Sequence, residues 1–419
     1  MREMKDSGIE WIGQIPERWP LRRAKTLFTQ RNSKGNKIEV LLSPTQKYGV
    51  VPQSQLEGVV QVKEDTDLQM FKTIHKGDYV ISLRSFQGGF EYSLYEGVCS
   101  PAYQVFYPTT PICALYYRYL FKSQSFISKM NNLTVGIREG KNIQYIDFAN
   151  SQIPVPPIAE QERIAAFLDA ECAEIDAVLE KTRASIEEYK KLKQAVITQA
   201  VTKGIRGDRP MKDSGIAWIG EIPAEWSVVR IKNLFDYRNE RNYRPLDEVN
   251  LISLYTDKGV VQHCDLEETT GNKASNADGY KLVYENDIVV NIILCWMGAI
   301  GRSAYYGVTS PAYDVYSPKQ GINSKFYHYL FRTNGFSGDC YKVGRGIMAM
   351  RWRTYSDQFR AIKVVFPSQS EQEEIIKYLD EKCAGIDALI VKKQQYLTEI
   401  ENYKKSLIYE YVTGKKEVV

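Results

Sequence analysis

Two long stretches of this chain keep their apolar residues in steps of three and four. From Ile164 one stripe runs through Leu168, Cys172, Ile175, Leu179, Ile186, Tyr189, Leu192 and Val196, with a polar gap at Thr182. From Ile375 a second runs through Leu379, Cys383, Ile386, Ile390, Leu397, Ile400, Lys404, Leu407 and Tyr411, with a lysine gap at Lys393. Neither contains proline, and both are rich in Glu, Lys, Gln and Ala, so each predicts an unbroken helix of about 40 residues, roughly 60 Å long. The starts follow Pro154-Val155-Pro156-Pro157 and Pro367-Ser368, with Ser370 as the expected N-cap of the second, and the ends fall near Lys203-Gly204 and Thr413-Gly414. A surface helix with one narrow stripe needs a partner. The expectation is an antiparallel coiled coil whose seam carries Leu168, Ile175, Leu179, Ile186 and Val196 on one helix and Leu379, Ile386, Ile390, Leu397 and Leu407 on the other. The alternative is that each helix folds back on its own domain.

The regions before the helices change period. Lys37 to Val51 and Glu248 to Val261 are β-branched runs broken by Tyr48-Gly49 and Lys258-Gly259, and Asp78 to Leu83 parallels Asp287 to Ile292. Runs of this kind bounded by glycine and polar turns predict strands. Leu115 to Met130 and Ser324 to Phe336 read as short helices with aromatic faces.

All of this occurs twice. Met4 to Trp19 and Met211 to Trp226 agree at 12 of 16 positions, and the echo continues through Leu27-Phe28 with Leu234-Phe235, Ser100-Pro101-Ala102-Tyr103 with Ser310-Pro311-Ala312-Tyr313, and Glu160-Gln161-Glu162 with Glu371-Gln372-Glu373. An offset of about 200 residues excludes solenoid repeats, whose units span roughly 20–50 residues. The reading is an α+β chain: two tandem α/β domains, each followed by a long helix, the helices pairing antiparallel with pseudo-two-fold symmetry. The expected boundaries are 1–155 and 207–368 for the domains and 156–206 and 369–419 for the helices. A pseudo-two-fold molecule suits a ligand that is itself nearly two-fold, as duplex DNA is.

Composition narrows the setting. With 43% hydrophobic and 25% charged residues the chain can bury two ordinary cores, and neither a secretory apolar region nor a membrane span is readable, which makes cytoplasm the expected location. The seven scattered cysteines never form C-x-x-C and predict reduced thiols with no metal site. Net charge is +5 over 1–150 and +2 over 207–366 but −1 and −2 over the two helices, so phosphate contacts must come from local clusters.

The two copies diverge in their loops. After the matched strands Arg84-Ser85-Phe86-Gln87-Gly88-Gly89 stands where the second copy has Ile293-Leu294-Cys295-Trp296-Met297-Gly298, and after Gly136-Ile137 and Gly346-Ile347 Arg138-Glu139-Gly140-Lys141 stands where it has Met348-Ala349-Met350-Arg351. A shared frame with divergent loops is what two readers of different DNA half-sites need. Candidate DNA contacts are Tyr48, Arg84, Gln87, Arg138 and Lys141 in the first copy and Lys258, Trp296, Arg345, Arg351 and Arg353 in the second. Trp11, Trp19, Trp218 and Trp226 recur in both halves, so they are expected to pack the domain starts against the helix ends. One asymmetry is visible: Tyr189 to Val201 is longer than Tyr403 to Val412, so the helix ends are expected to differ.

The repeated D-S-G-I-x-W-I-G-x-I-P at Asp6 and Asp213, the S-P-A-Y phrases, the helix openings at Pro156 and Ser370, and the endings A-V-T-K-G at Ala200 and Y-V-T-G-K at Tyr411 together resemble the DNA-specificity subunit of type I restriction-modification enzymes, over essentially the whole chain. The resemblance implies a non-catalytic clamp that reads a bipartite, asymmetric double-stranded DNA site through two target recognition domains held apart by a helical ruler. It implies two docked modification (methyltransferase) subunits and restriction (translocase/nuclease) subunits, with S-adenosylmethionine, ATP and Mg²⁺ on those partners, no cofactor on this chain and no membrane association.

Two other function classes stand beside this one. A stand-alone methyltransferase needs a glycine-rich cofactor turn and an Asn/Asp-Pro-Pro-Tyr/Phe loop; there is no G-x-G-x-x-G, and Ser100-Pro101-Ala102-Tyr103 lacks the amide, so it reads as a strand-entry turn. A nuclease built on Glu139-Gly140-Lys141 has no suitable upstream acid, and the second copy has Ala349-Met350-Arg351 there. His75, His263 and His328 are isolated and read as solvated or structural. The last class is a coiled-coil scaffold without a DNA role.

Overall fold

The computed structural model describes residues 2–34, 40–56, 68–82, 88–133, 143–265, 276–346 and 352–418. Two compact units emerge, Met1–Arg183 with Gln394–Val419, and Ala184–Lys393.

The first unit is built on an antiparallel four-stranded sheet in the order Phe28–Arg31, Gln104–Pro108, Tyr79–Ile81, Phe90–Tyr92. Tyr79 and Ile81 face one cluster with Phe28, Phe106 and Phe121, while Val80 faces another with Leu42, Val50, Ile74 and Val105. Burial on both faces explains why this strand reads as an unbroken apolar run. The aromatic side is covered by α1 (Ala114–Lys122), α2 (Gln124–Leu133) and α3 (Tyr145–Asn150), and Phe28 meets Tyr117 edge-on at 5.3 Å. The other side is covered by the hairpin Leu42–Thr45 with Gly49–Pro52 and the ladder Lys72–Ile74 with Gly97–Cys99.

The second unit repeats the plan. Its sheet runs Phe235–Arg238, Tyr313–Pro318, Ile288–Asn291, Ile300–Arg302, and its hairpin is Ile252–Tyr255 with Gly259–Gln262. Helices α5 (Ser324–Phe331), α6 (Asn334–Val343) and α7 (Ser356–Ala361) follow the long helix α4 (Ile158–Lys203) in the chain and precede its counterpart α8 (Gln369–Val412). Each aromatic span read from the sequence breaks into two helices. Ser123 Oγ donates to the Leu120 carbonyl, and Thr333 donates to Leu330 while accepting from the Phe336 N–H at 3.3 Å, which ends one helix and caps the next.

The long helices pair antiparallel in each unit. In the first, Lys404 meets Asp176 at 2.6 Å, Arg183 meets Glu401 at 2.6 Å, and Phe167 packs on Tyr411 at 4.4 Å. In the second, Lys193 meets Asp387 at 2.6 Å and Arg206 meets Glu374 at 2.7 Å. These exposed ion pairs contribute little stability each and serve mainly to fix register. Burial comes from Leu168, Cys172, Leu179 and Ile186 on α4 and from Leu379, Cys383, Ile386 and Leu407 on α8, while Ile175, Val196, Ile390 and Leu397 are half-buried. The helices also fold onto the domains, since Ile164, Leu168, Leu407 and Val412 belong to the first core and Ile197, Val201, Ile375 and Leu379 to the second.

Three local expectations are corrected. Leu192 is 49% exposed, and the buried face passes instead through Lys193 to Ile197 and Ala200, because the two successive steps of three from Ile186 through Tyr189 to Leu192 fall short of two helical turns, whereas steps of seven from Leu179 and Ile186 reach Lys193 and Ala200. Ser370 lies inside α8, and the capping oxygen is that of Ser368, which accepts from the Glu371 N–H at 3.4 Å. The helix ends are equivalent despite their unequal spacing. Thr202 and Thr413 are both buried and donate to carbonyls four residues back, Gly204 and Gly414 both take positive φ, and Lys203 and Lys415 both donate to carbonyls of a domain-start turn, Ile219 and Ile12.

A latch closes each junction. Trp19 Nε1–H donates to Glu160 at 2.9 Å, and Arg2 lies over the Trp19 ring at 5.2 Å, pairs with Glu160 and donates through Nε to the Gly414 carbonyl at 3.0 Å. Trp226 donates to Glu371 at 2.8 Å, and Arg209 lies over the Trp226 ring at 5.4 Å, pairs with Glu371 and donates to the Lys203 carbonyl at 2.9 Å. Each latch therefore ties a domain start to the beginning of one long helix and the end of the other. Trp11 and Trp218 do not take part: Trp11 packs on Phe126 of α2, and Trp218 donates to Asp339 of α6.

Candidate nucleic-acid interface

Divergent loops of the second unit converge at one end of its sheet. The strand Ile288–Asn291 runs into a turn carrying Leu294, Cys295, Trp296 and Met297, and the loop leaving α6 returns through Trp352 and Arg353. Arg345 and Arg353 exchange backbone hydrogen bonds at 2.8 and 2.9 Å, which closes that loop at its base. The Thr354 N–H donates to the Ile292 carbonyl at 2.9 Å and its hydroxyl to the Cys340 carbonyl at 3.0 Å, stitching both loops and α6 together. Trp296 lies 5.6 Å from Tyr341, and Tyr341 stacks on Trp352 at 4.9 Å with 22° between the rings. Trp352 Nε1–H donates to the Tyr341 carbonyl at 3.0 Å. Arg345 is exposed and Tyr341 is 48% exposed, so cationic and aromatic groups share this rim.

Three of the residues expected to touch DNA thus come together: Trp296, Arg345 and Arg353. Lys258 does not join them. It is exposed on the turn of the hairpin, which Arg332 holds through the Thr256 and Asp257 carbonyls at 2.9 and 2.8 Å. Tyr48 occupies the matching turn of the first unit, 61% exposed, with Lys47 Nζ 4.8 Å from its ring. Arg84, Gln87, Arg138, Lys141 and Arg351 lie outside the described residues, as do Glu139 and Gly140. Sequence reading missed Tyr341 and Trp352. The available signal was position, since Asn131 stands where the second copy has Tyr341, on the same α2/α6 face beside a divergent loop.

Behind the loops the two frames are held alike. Arg31 pairs with Asp78 and Arg238 with Asp287, each at 2.8 Å, and the acids also accept backbone N–H groups of His75 and Tyr284. At the sheet edge they differ. In the first unit Lys122 bonds the buried Glu91, whose carboxyl is pushed up to about 7 by its burial, partly opposed by the Lys122 charge. In the second, His328 is held neutral by burial and by Arg332 and Arg302, its pKa lowered to about 3, and its Nδ1 accepts the Arg302 N–H at 3.1 Å.

Ser100-Pro101-Ala102-Tyr103 and Ser310-Pro311-Ala312-Tyr313 are turns entering the strands Gln104–Pro108 and Tyr313–Pro318, closed by Tyr N–H bonds to the serine carbonyls at 3.1 and 3.0 Å. The histidines are dispersed, His75 beside Glu96 and His263 beside Ser253. Among the described residues no cluster of His, Cys, Asp or Glu is arranged to hold a metal ion, and no helix is long and apolar enough to cross a membrane.

Residues 12–188 and 223–400 match the family model for the type I restriction modification DNA specificity domain. The chain belongs to the type I DNA-specificity family. The type I restriction enzyme MjaVIII specificity subunit of Methanocaldococcus jannaschii is 27% identical over 300 residues, which cover 67% of this chain and 66% of that protein. The fold is shared with a chain from a study of complex assembly and conformational transition of the type I R-M system, at a TM-score of 0.70 and 13% identity over 96% of this chain and 99% of that one. It is also shared with the HsdS subunit of Thermoanaerobacter tengcongensis, at 0.52 and 15% over 96% and 98%. Specificity subunits of type I systems are non-catalytic, which removes the stand-alone methyltransferase and nuclease readings.

Proposed function

We propose that this specificity subunit reads a bipartite, asymmetric site in double-stranded DNA, one half through residues 1–155 and the other through 207–368. The helical segments 156–206 and 369–419 set the spacing between the halves. Two modification subunits and the restriction subunits dock on it in the cytoplasm, and S-adenosylmethionine, ATP and Mg²⁺ belong to those partners.

The observation that carries this reading is the contrast between frame and loops. Sheet order, hairpins and latches recur in both units, whereas the rim built from Trp296, Tyr341, Arg345, Trp352 and Arg353 rests on sequence that the first copy does not repeat. A conserved frame with changed tips fixes position in common and recognition separately. Tyr48, Arg84, Gln87, Arg138 and Lys141 are the proposed contacts of the first half, and Lys258, Trp296, Arg345, Arg351 and Arg353 those of the second. The test is protection of DNA by the chain assembled with its modification subunits. Protection of two short segments separated by an unprotected spacer is expected; uniform affinity for all duplexes, or none, would exclude it.

A further inference from the structure

The proposed contacts of the second half include an aromatic element that hydrogen-bonded readout does not need. Tyr341 and Trp352 lie nearly parallel at 4.9 Å, beside Trp296 and next to the Arg345–Arg353 bridge. The stack is fixed from several directions. Trp352 Nε1–H is spent on the Tyr341 carbonyl, Thr354 two residues on is anchored to the Cys340 and Ile292 carbonyls, and a Cβ on Gly344 would fall 2.4 Å from Trp352 Nε1, so only glycine admits the indole there. Yet Tyr341 remains 48% exposed, and Leu294 and Met297 on the adjoining turn are 37% and 53% exposed. A rigid, half-open aromatic stack rimmed by apolar side chains is unusual on a surface with no partner.

Charge identifies the occupant. Arg345 is exposed on the same rim, bridged through its backbone to Arg353, and Lys342 stands on the last turn of α6. Cationic residues on the rim of an open aromatic face match a nucleic acid, whose backbone carries the opposite charge and whose bases present flat faces to the ring. An apolar protein partner would not call for the exposed cations. The first copy differs in sequence here: Thr134 to Asn142 contains no aromatic residue, and Asn131 stands in place of Tyr341.

We propose that Tyr341, braced by Trp352, is an aromatic wedge that packs against a base step in the second half-site, so that this half is read in part by stacking and local unstacking of the duplex. This rests on the reading of the chain as a binder of split DNA sites. Side chains wedged against base steps select for steps that unstack easily, so this half should tolerate exchange at some positions while favouring flexible pyrimidine–purine steps.

The experiment uses the full chain assembled with its modification subunits and a duplex carrying its site. Tyr341→Ala should weaken binding about 10- to 100-fold, as expected when one base–aromatic contact is lost, while Tyr341→Phe stays within about two-fold of the parent. The salt dependence of binding should not change, because no phosphate contact is removed. The decisive readout is 2-aminopurine placed at positions of the second half-site other than the methylated base. Its emission should rise on binding the parent and Tyr341→Phe and stay low with Tyr341→Ala, and the same probe in the first half should be indifferent to all three. An unaltered signal and affinity for Tyr341→Ala would overturn the wedge, and so would equal losses on specific and random DNA, which mark a general contact. A parent complex with no preference for its site would instead overturn the functional reading itself.

Discussion

At the scale of residues, the buried ionisable groups differ between the units and give them opposite responses to pH. Glu91 has a folded-state pKa of about 7 against 4.5 for the free carboxyl. The fold favours its protonated form, so its contribution is complete below about pH 4.5 and is lost as the pH rises to about 7, a cost of about 3 kcal/mol. His328 runs the other way: held neutral down to about 3, it contributes fully above about pH 6.5, and that contribution is lost as the pH falls below it. Denaturant titrations of the parent and Glu91→Gln from pH 5 to 8 should show the alkaline decline of the first unit only in the parent, with the acid-side loss of the second unit unchanged. Parallel profiles would contradict the assignment.

The latches make a second residue-scale prediction. Glu371 has only 2% of its side chain exposed and Glu160 has 16%, so removing the arginine strands a more deeply buried charge in the second unit. Arg209→Ala should destabilise by about 3 kcal/mol and Arg2→Ala by less, as read from denaturation midpoints. Equal effects would show that the two junctions do not depend on these pairs. The tryptophans of the latches were legible as residues that both halves need. That an arginine nine residues before the repeated tryptophan, Arg2 before Trp11 and Arg209 before Trp218, reaches across to the end of the other helix was not, because such a contact leaves no trace in local periodicity.

Among the elements, the helices and hairpins were the most legible because their signals are long or repeated. The long helices follow from uninterrupted stripes, and the hairpins from β-branched runs around Tyr48-Gly49 and Lys258-Gly259, where Gly49 and Gly259 take positive φ. The errors were local competitions. A serine two residues earlier captured the N-cap of α8, hydroxyls at Ser123 and Thr333 split the aromatic helices, and two successive steps of three led to the exposed Leu192 in place of Lys193. The proposed ruler predicts that four residues inserted after Thr182, about 6 Å of helix, shift the preferred spacer to sites one to two base pairs longer at ~3.4 Å per pair, the partner helix being unchanged. Methylated sites with the parental spacing would remove that role from α4.

At the scale of the molecule, chain order suggested one domain and one helix per repeat, but each compact unit also contains the end of the other long helix: Tyr116 OH donates to the Val412 carbonyl at 2.7 Å, and Leu407 and Val412 lie in the first core. The sequence held a hint in the endings around Val201 and Val412, although nothing in them says which domain they serve. The fragment Met1–Gly207 lacks α8 but carries the equivalent end of α4, with Val201, Thr202 and Lys203 in place of Val412, Thr413 and Lys415. It should therefore dimerise, each copy lending its helix end to the other, and with modification subunits it should select a palindrome of the first half-site. Light scattering that finds a monomer at tens of micromolar would show that the ends are not interchangeable.

The central claim, that this chain alone chooses a split DNA site and reads its halves separately, is tested most directly by single-molecule methylation mapping of a genome in cells that express it with its modification subunits. The account predicts one asymmetric motif of two short blocks around a fixed spacer, absent without this chain, and relaxation of one block only when Arg345 and Arg353 are both changed to alanine, each lost bidentate base contact costing about 1–3 kcal/mol. An unsplit motif, the same motif without the chain, or simultaneous relaxation of both blocks would contradict it.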